Sequence, residues 1–417
     1  MSVPPADRLP PSHPDHLDLG VALDGAGWHP AAWREESARP AELLTGAYWA
    51  GLARRADEAG VELLTIEDAF GLQTRQPFAP VDPQETREVR GRLDAVLLAD
   101  WLAPLTRRIG LIPTVATTHT EPFHLSTAIA TLDHASRGRA GLRAVASAKP
   151  HEAALVGRRV FPDIGPDEFA SPAGQAAIAE RFDEAADALE VIRRLWDSWQ
   201  DDAVIRDAAT GRYIDRDRLH YIDFEGRFFS VKGPSIVPRP PQGQPLVTVL
   251  AHQRIPYELA AREADIVYVT PHDEAQLRSI TAEVRDAERA VGRTGEPLRV
   301  WADVLVLIEG TTDAARAALA RLDELAGEPL TSDALVVADT AGRIAELIRA
   351  WQRAGVDGIR LRPARLPLDL DRIADELLPS LERAGLRTPR DGATLRARLG
   401  LPTARNRYER EEEVQAS

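Results

Sequence analysis

The sequence predicts an α/β protein, a (β/α)8 barrel, also called a TIM barrel, with an insertion after strand four (about 148–243) and a C-terminal tail. Two observations carry that expectation. Short apolar runs rich in branched residues recur near residues 20, 63, 112, 143, 248, 267, 303 and 360, separated by stretches of mainly helical spacing. The runs are almost continuously apolar, which suits parallel strands covered on both faces. A doubly wound sheet more often carries a GxGxxG turn after its first strand, and the loop Asp24–Pro30 has none.

Each unit reads in order. Leu17–Leu23 is the first strand, and Ala41–Ala59 is a helix ended by Gly60. Val61–Ile66 is the second strand, followed by a polar loop, Gln73–Val89, and a helix from about Arg92 to Leu105. The clearest βαβ unit spans Arg108–Ser147: strand Ile109–Ala116, polar patch Thr117–Pro122, helix Phe123–Ala135, the break Ser136-Arg137-Gly138, and strand Ala140–Ala146. The insertion holds a long helix, Gln175–Trp199, and a hairpin pattern around Glu225-Gly226. Strands Pro245–Leu250, Asp265–Thr270, Leu298–Ile308 and Gly358–Leu361 complete the eight. Helices are expected at Pro256–Glu263, Asp273–Val291, Thr312–Ala326, Thr340–Ala354 and Leu368–Gly385. The implied organisation is a lead-in (1–16), a barrel (17–388) and an extension (389–417).

Composition narrows the function. The chain has 417 residues, 44% of them apolar, enough for a sizeable core. Sixty-five acidic against 51 basic residues give a net charge of −14, which argues against nucleic acid or an anionic membrane as partner. Zero cysteines exclude disulfides, thiolate catalysis and Cys-ligated metals. No run approaches the roughly 18 apolar residues of a membrane span. The proline-rich start reads as a disordered lead-in without signal-peptide character, so a cytoplasmic location is expected. His119 and His124 are five apart and miss the i, i+4 spacing of a helical zinc pair, so no metal site is expected. Ligands of parallel α/β barrels bind at the carboxyl ends of the strands. The patch after Thr114 and the stretch Arg143–Ser147 are therefore the candidate floor of a site.

Several stretches together resemble the bacterial luciferase-like flavin monooxygenases, in the branch that includes nitrilotriacetate monooxygenase. They are IEDAFG (66–71), GLIPTVATTHTEPFHLSTAIATLDHASRGRAG (110–141), VIRRLWDSWQDDA (191–203), LHYIDFEGRFFSVKGPSIVPRPPQGQP (219–245), WQRAGVDGIRLRP (351–363) and TLRARLGLPTARNRYE (394–409). The resemblance covers roughly residues 17–409. It implies a (β/α)8 barrel in which reduced FMN, delivered by a separate flavin reductase, captures O2 as a peroxyflavin that oxygenates a small organic substrate. It also implies a homo-oligomer.

On the family's pattern Asp68 matches the Asp that closes strand two, and Thr114 the Thr that contacts the flavin near the end of strand three. The family's Trp-Asn pair on strand four stands here as Leu142-Arg143. Its His and Tyr after the insertion stand as Ile178 and Phe182, and its phosphate-holding Gly-Ser-Ser as Ala251-His252-Gln253. His252 and Gln253 precede a helix start, where phosphate finds backbone donors. Arg143, among apolar neighbours, must either pair with Asp68 or Glu67 or hold an anionic ligand. His29 and His119, just past strands one and three, are placed for proton donation. The implied cofactor-binding set is thus Asp68, Thr114, Arg143, His252 and Gln253, with His29 and His119 catalytic. Two alternatives stay open: a deazaflavin-dependent oxidoreductase, and a barrel that binds a small molecule without catalysis.

Overall fold

Eight parallel strands close into a ring in the computed structural model, which describes residues 16–74, 82, 84–147, 149–157, 160, 168, 171–388 and 390–409. Residues 1–15, part of the polar loop (75–81 and 83) and the charged stretch 410–414 lie outside the described residues. The strands in chain order are β1 (Asp18–Leu23), β2 (Leu63–Ile66), β3 (Gly110–Ala116), β4 (Gly141–Val145), β5 (Val204–Asp207), β6 (Arg212–Ile214), β7 (Phe224–Glu225), β8 (Ser230–Val231), β9 (Leu246–Leu250), β10 (Ile266–Val269), β11 (Arg299–Ile308), β12 (Leu335–Asp339) and β13 (Gly358–Pro363). The barrel runs β1, β2, β3, β4, β9, β10, β11, β13 and closes back on β1. All eight expected strands are present.

The helices are α1 (Gly46–Glu58), α2 (Ala95–Leu102), α3 (Pro122–Ser136), α4 (Pro150–Val156), α5 (Pro172–Asp197), α6 (Arg254–Glu263), α7 (Glu274–Val291), α8 (Thr312–Ala326), α9 (Ala341–Arg353), α10 (Leu368–Arg372), α11 (Leu378–Arg383) and α12 (Leu395–Arg398). Many start where a side chain takes up an orphan amide: Thr45 accepts from Tyr48, Asp94 from Leu97, Asp273 from Gln276 and Thr311 from Ala314. Their apolar faces pack on the outer face of the strands, around Val21, Leu64, Leu111, Leu142 and Val304.

Two features depart from the sequence-based expectation, and the insertion matches it in its long helix and second hairpin. The helix expected over 368–385 is α10, a π-turn (Ile373–Leu377) and α11, with Pro379 in the first turn of α11. β12 was not foreseen. Among the described residues it pairs only with the far end of β11, Val304–Ile308, beyond the point where β10 stops, and it is half-buried. The insertion carries α4, α5 and two small hairpins, β5–β6 and β7–β8, the second at the expected Glu225-Gly226 turn.

Inside the ring, side chains alternate with those facing the helices. At the amino-terminal end Trp301 packs over Gly358, where a side chain would collide with its ring, and beside Gly20, where one would collide with Leu63. Leu63, Ile112, Leu246 and Ile266 join it, and Leu395, Leu399 and Leu401 cap them from below. The 395–401 stretch of the C-terminal extension is therefore built into the barrel floor, while Asn406 and Arg407 bond α5 and its end.

Candidate functional site

Above the apolar floor the barrel interior turns polar. Arg360 bonds Asp303 through Nε at 2.8 Å and through Nη2, and it reaches Thr65 Oγ1 at 3.2 Å and Glu67 at 3.5 Å. Its guanidinium lies 4.1 Å from the Tyr268 ring centroid. Arg362 also bonds Asp303, and its Nη1 and Nη2 donate to Asp333 at 2.6 and 3.1 Å. Arg143 bonds Glu67 through Nη2 and Thr114 Oγ1 through Nε at 3.1 Å. Three guanidiniums thus face three carboxylates, the balance a water-poor interior demands. Burial pushes the Asp303 carboxyl up, but Arg360 and Arg362 outweigh it and hold it below the carboxylate range. Asp333 is likewise raised by burial, yet Arg362 brings it down to about 2.

A cavity of about 770 Å³ opens at the carboxyl ends of the strands. Its wall comes from the loop after β1 (24–30), residues 69, 72–74, 88, 89 and 92 after β2, Lys149 after β4, His252 after β9, Leu305 of β11, and segment 328–333 between α8 and β12. Trp28 and Leu305 give it apolar surface, and Arg362 stacks behind the Trp28 ring at 4.6 Å. Asp24 and Arg92 form a bidentate pair at its edge, at 3.2 and 2.8 Å.

His252 lines this cavity; its Nδ1 is 3.0 Å from Thr270 Oγ1 and its Nε2 3.6 Å from Asp333. Burial lowers its pKa below the ordinary imidazole value. Gln253 is the N-cap of α6, with no side-chain capping bond. His29 also lines the cavity, but it is 1% exposed and both its nitrogens have partners: Ala31 N–H at 3.1 Å on Nδ1 and Asp323 at 3.1 Å on Nε2. Asp323 in turn accepts from Leu330 N–H at 2.8 Å, so His29 ties down the 328–333 wall.

The other predicted residues sit outside the described lining. Asp68 accepts from Ala69 N–H at 2.7 Å and Ala95 N–H at 2.9 Å, fixing the start of α2 against the end of β2. Burial raises its pKa. Thr114 and Arg143 are register partners on β3 and β4, bonded to each other. Of the two readings open for Arg143, the structure shows the ion pair, with Glu67 as partner. His119 is buried in the loop after β3, edge-on to Phe70 at 5.6 Å. Ile178 and Phe182 lie on α5 and do not line the cavity; Phe182 packs against the main core.

Sequence reasoning missed Arg360, Arg362, Asp303 and Asp333. A signal was present: in GIRLRP the two arginines alternate with apolar residues, so both face one side of a strand. Asp303 is likewise the one acidic residue in RVWADVLVLI.

The fold and site define a (β/α)8 barrel with its cavity at the carboxyl ends of the strands. The luciferase-like monooxygenase family model matches residues 28–358, and the chain belongs to that family. It is 28% identical to nitrilotriacetate monooxygenase component A of Aminobacter aminovorans, over 94% of this chain and 97% of that protein. The solved EDTA monooxygenase of Chelativorans sp. BNC1 superposes with a TM-score of 0.76 at 25% identity, covering 93% of this chain and 99% of that one. A riboflavin lyase crystallised with modified FMN and riboflavin shares the fold, with a TM-score of 0.80 at 21% identity over 93% and 96% of the two chains. The chain is accordingly a flavin-dependent monooxygenase. No helix of the described residues is long and apolar enough to cross a membrane.

Proposed function

We propose that this chain is the oxygenase component of a two-component system that uses reduced FMN and O2 to oxygenate a small organic molecule in the cytoplasm. The carrying observation is the cavity at the strand carboxyl ends, lined by His252 immediately before Gln253, the N-cap of the ten-residue helix α6. Residues there fit a flavin. The first amides of α6, with His252 and Gln253, suit a phosphate, and the wall of Trp28 and Leu305 suits an aromatic ring. Bound reduced flavin would supply the electrons that activate O2.

The protein's own groups have separate tasks in this reading. Asp68, Thr114 and Arg143 hold the cavity's supports in place, Asp68 by fixing α2 and the other two by anchoring Glu67. His29 positions the 328–333 wall through Asp323. His119 is the proposed proton donor, packed on Phe70 next to the lining residue Ala69. A separate flavin reductase is the proposed partner, in line with the "component A" name of the relative from Aminobacter. A homo-oligomer is proposed on the same family likeness.

The test is anaerobic titration of the purified protein with FMN, reduced FMN and a deazaflavin, followed by tryptophan fluorescence. Reduced FMN is expected to bind most tightly, in the micromolar range, and O2 uptake with a generic flavin reductase to rise on adding substrate. Preference for the deazaflavin, or silence with all three, overturns the reading.

A further inference from the structure

One buried guanidinium touches two sides of the cavity wall. Arg362 stands on β13 beside Leu305 of β11, its register partner and a lining residue. Its side chain is 2% exposed. Nε donates to Asp303 at 2.9 Å and Nη2 to the same carboxylate, while Nη1 and Nη2 donate to Asp333 at 2.6 and 3.1 Å. Two carboxylates shared among three nitrogens fix the plane of the guanidinium as well as its place. That guanidinium lies over the Trp28 ring, 4.6 Å from its centroid. Trp28 and Asp333 both line the cavity, although they come from opposite ends of the chain.

The backbone brings Trp28 to this place, and the guanidinium orients its ring. Trp28 N–H donates to Pro363 O and His29 N–H to Ala364 O, both at 3.0 Å, and Leu366 N–H donates to Ala26 O at 2.7 Å. Gly27, at φ +121°, lets the two segments come this close, since a side chain there would strike the Ala364 carbonyl. These bonds fix the Trp28 backbone and leave the torsions of its side chain open. The indole Nε1 reaches Ala22 O only at 3.5 Å, the outer limit of a hydrogen bond. A cation held on the ring face supplies the firmer restraint. We propose that Arg362 is a positioning residue: locked by Asp303 and Asp333, it holds the Trp28 ring as a preformed face for a planar aromatic ligand and so sets the cavity's affinity for one. For the reaction this rests on the flavin-monooxygenase reading, whereas the orientation of the ring does not. Lysine cannot replace Arg362 here, because an ammonium has neither the fork that takes two carboxylates nor the flat face that stacks on indole.

Lumiflavin, the flavin ring system without its phosphate, tests this when titrated into the full chain and followed by loss of its own fluorescence, the signature of stacking on indole. Trp28→Ala is expected to weaken its binding about ten-fold and Arg362→Lys about five-fold. In the Trp28→Ala background Arg362→Lys should add nothing, because it acts through the ring. A merely structural loss would weaken binding in both backgrounds alike. Asp333→Asn, which leaves the Asp303 pair intact, should weaken lumiflavin about two-fold in the unaltered chain and not at all beside Trp28→Ala. Absence of lumiflavin binding, equal binding by the unaltered chain and Arg362→Lys, or an undiminished effect of Arg362→Lys beside Trp28→Ala overturns the proposal. Should Arg362→Lys not fold, the same outcomes are read from Asp333→Asn. Reduced FMN is titrated into the same proteins. Lumiflavin in the expected order without FMN binding would sink the monooxygenase reading and support the positioning. Tight FMN binding with lumiflavin unmoved by Arg362→Lys would do the reverse.

Discussion

Asp303 and Arg360 are register partners on β11 and β13, completely closed off from solvent, and joined through both guanidinium edge nitrogens. Asp303 also takes Arg362, so one carboxylate neutralises two buried cations. Removing a partner from such a group leaves charge in a medium that solvates it poorly. Asp303→Asn is therefore expected to cost about 3–5 kcal/mol in urea denaturation. A loss below about 1 kcal/mol would mean that water reaches the interior and screens it.

The floor of the barrel supplies a second prediction. Leu395 and Leu399 are 0% exposed and close the ring from below against Ile112 and Trp301. A side chain on Gly110 would strike Leu395, so the fit is tight. Leu395→Ala should lower stability by about 2–5 kcal/mol, read as a fall in melting temperature. An unchanged melting temperature would show the C-terminal segment to be a loosely held appendage.

The barrel was legible because strand periodicity and helix caps are local signals. The runs around 112 and 143 announce themselves, and the helix at Thr312–Ala326 matches the expected limits residue for residue. β12 was not legible, since its only partner is the overhang of β11, which no local pattern reveals. Positions in the chain were legible where roles were not: His252 and Gln253 directly precede α6 and His29 follows β1, as expected. That Asp323, 294 residues away, takes the His29 ring nitrogen is a tertiary fact. So is the role of Arg362, which pairs with Asp333 of a distant loop.

Strong acid should weaken the strap that holds the C-terminal segment. Burial raises the Asp265 carboxyl, but Arg396 and Arg193 more than offset it and hold it at about 2. Arg396 belongs to α12, 3.0 Å from Asp265. A carboxyl lowered in the folded state stabilises above its unfolded pKa near 3.9 and ceases to do so as pH falls through about 2. About 2 kcal/mol is expected to disappear across that window. Asp265→Asn should lose it at every pH, so the stability difference between the two proteins shrinks from pH 5 to pH 2. A difference independent of pH would refute the linkage.

His29 and His252 both touch the cavity, but only His252 lies beside the uncapped helix start and keeps a partly exposed ring. Burial lowers its pKa, so the free protein carries a neutral ring at pH 8. With a lowered folded pKa, the neutral ring stabilises above the unfolded value near 6.5, and that contribution is lost as pH falls through the folded pKa. Ligand binding has the opposite sign: a phosphate dianion at this position favours the protonated ring, so flavin binding takes up a proton. FMN affinity is accordingly expected to rise as pH drops from 8 to 6.5, by about thirty-fold at most for one linked proton over that span. His252→Asn should weaken binding at pH 6.5 and flatten the profile while leaving the melting temperature at pH 8 nearly unchanged. His29→Gln, which breaks the bond to Asp323 but leaves the helix start intact, should keep the slope and lower stability by about 1–3 kcal/mol instead. A slope that survives His252→Asn would place the phosphate elsewhere in the cavity.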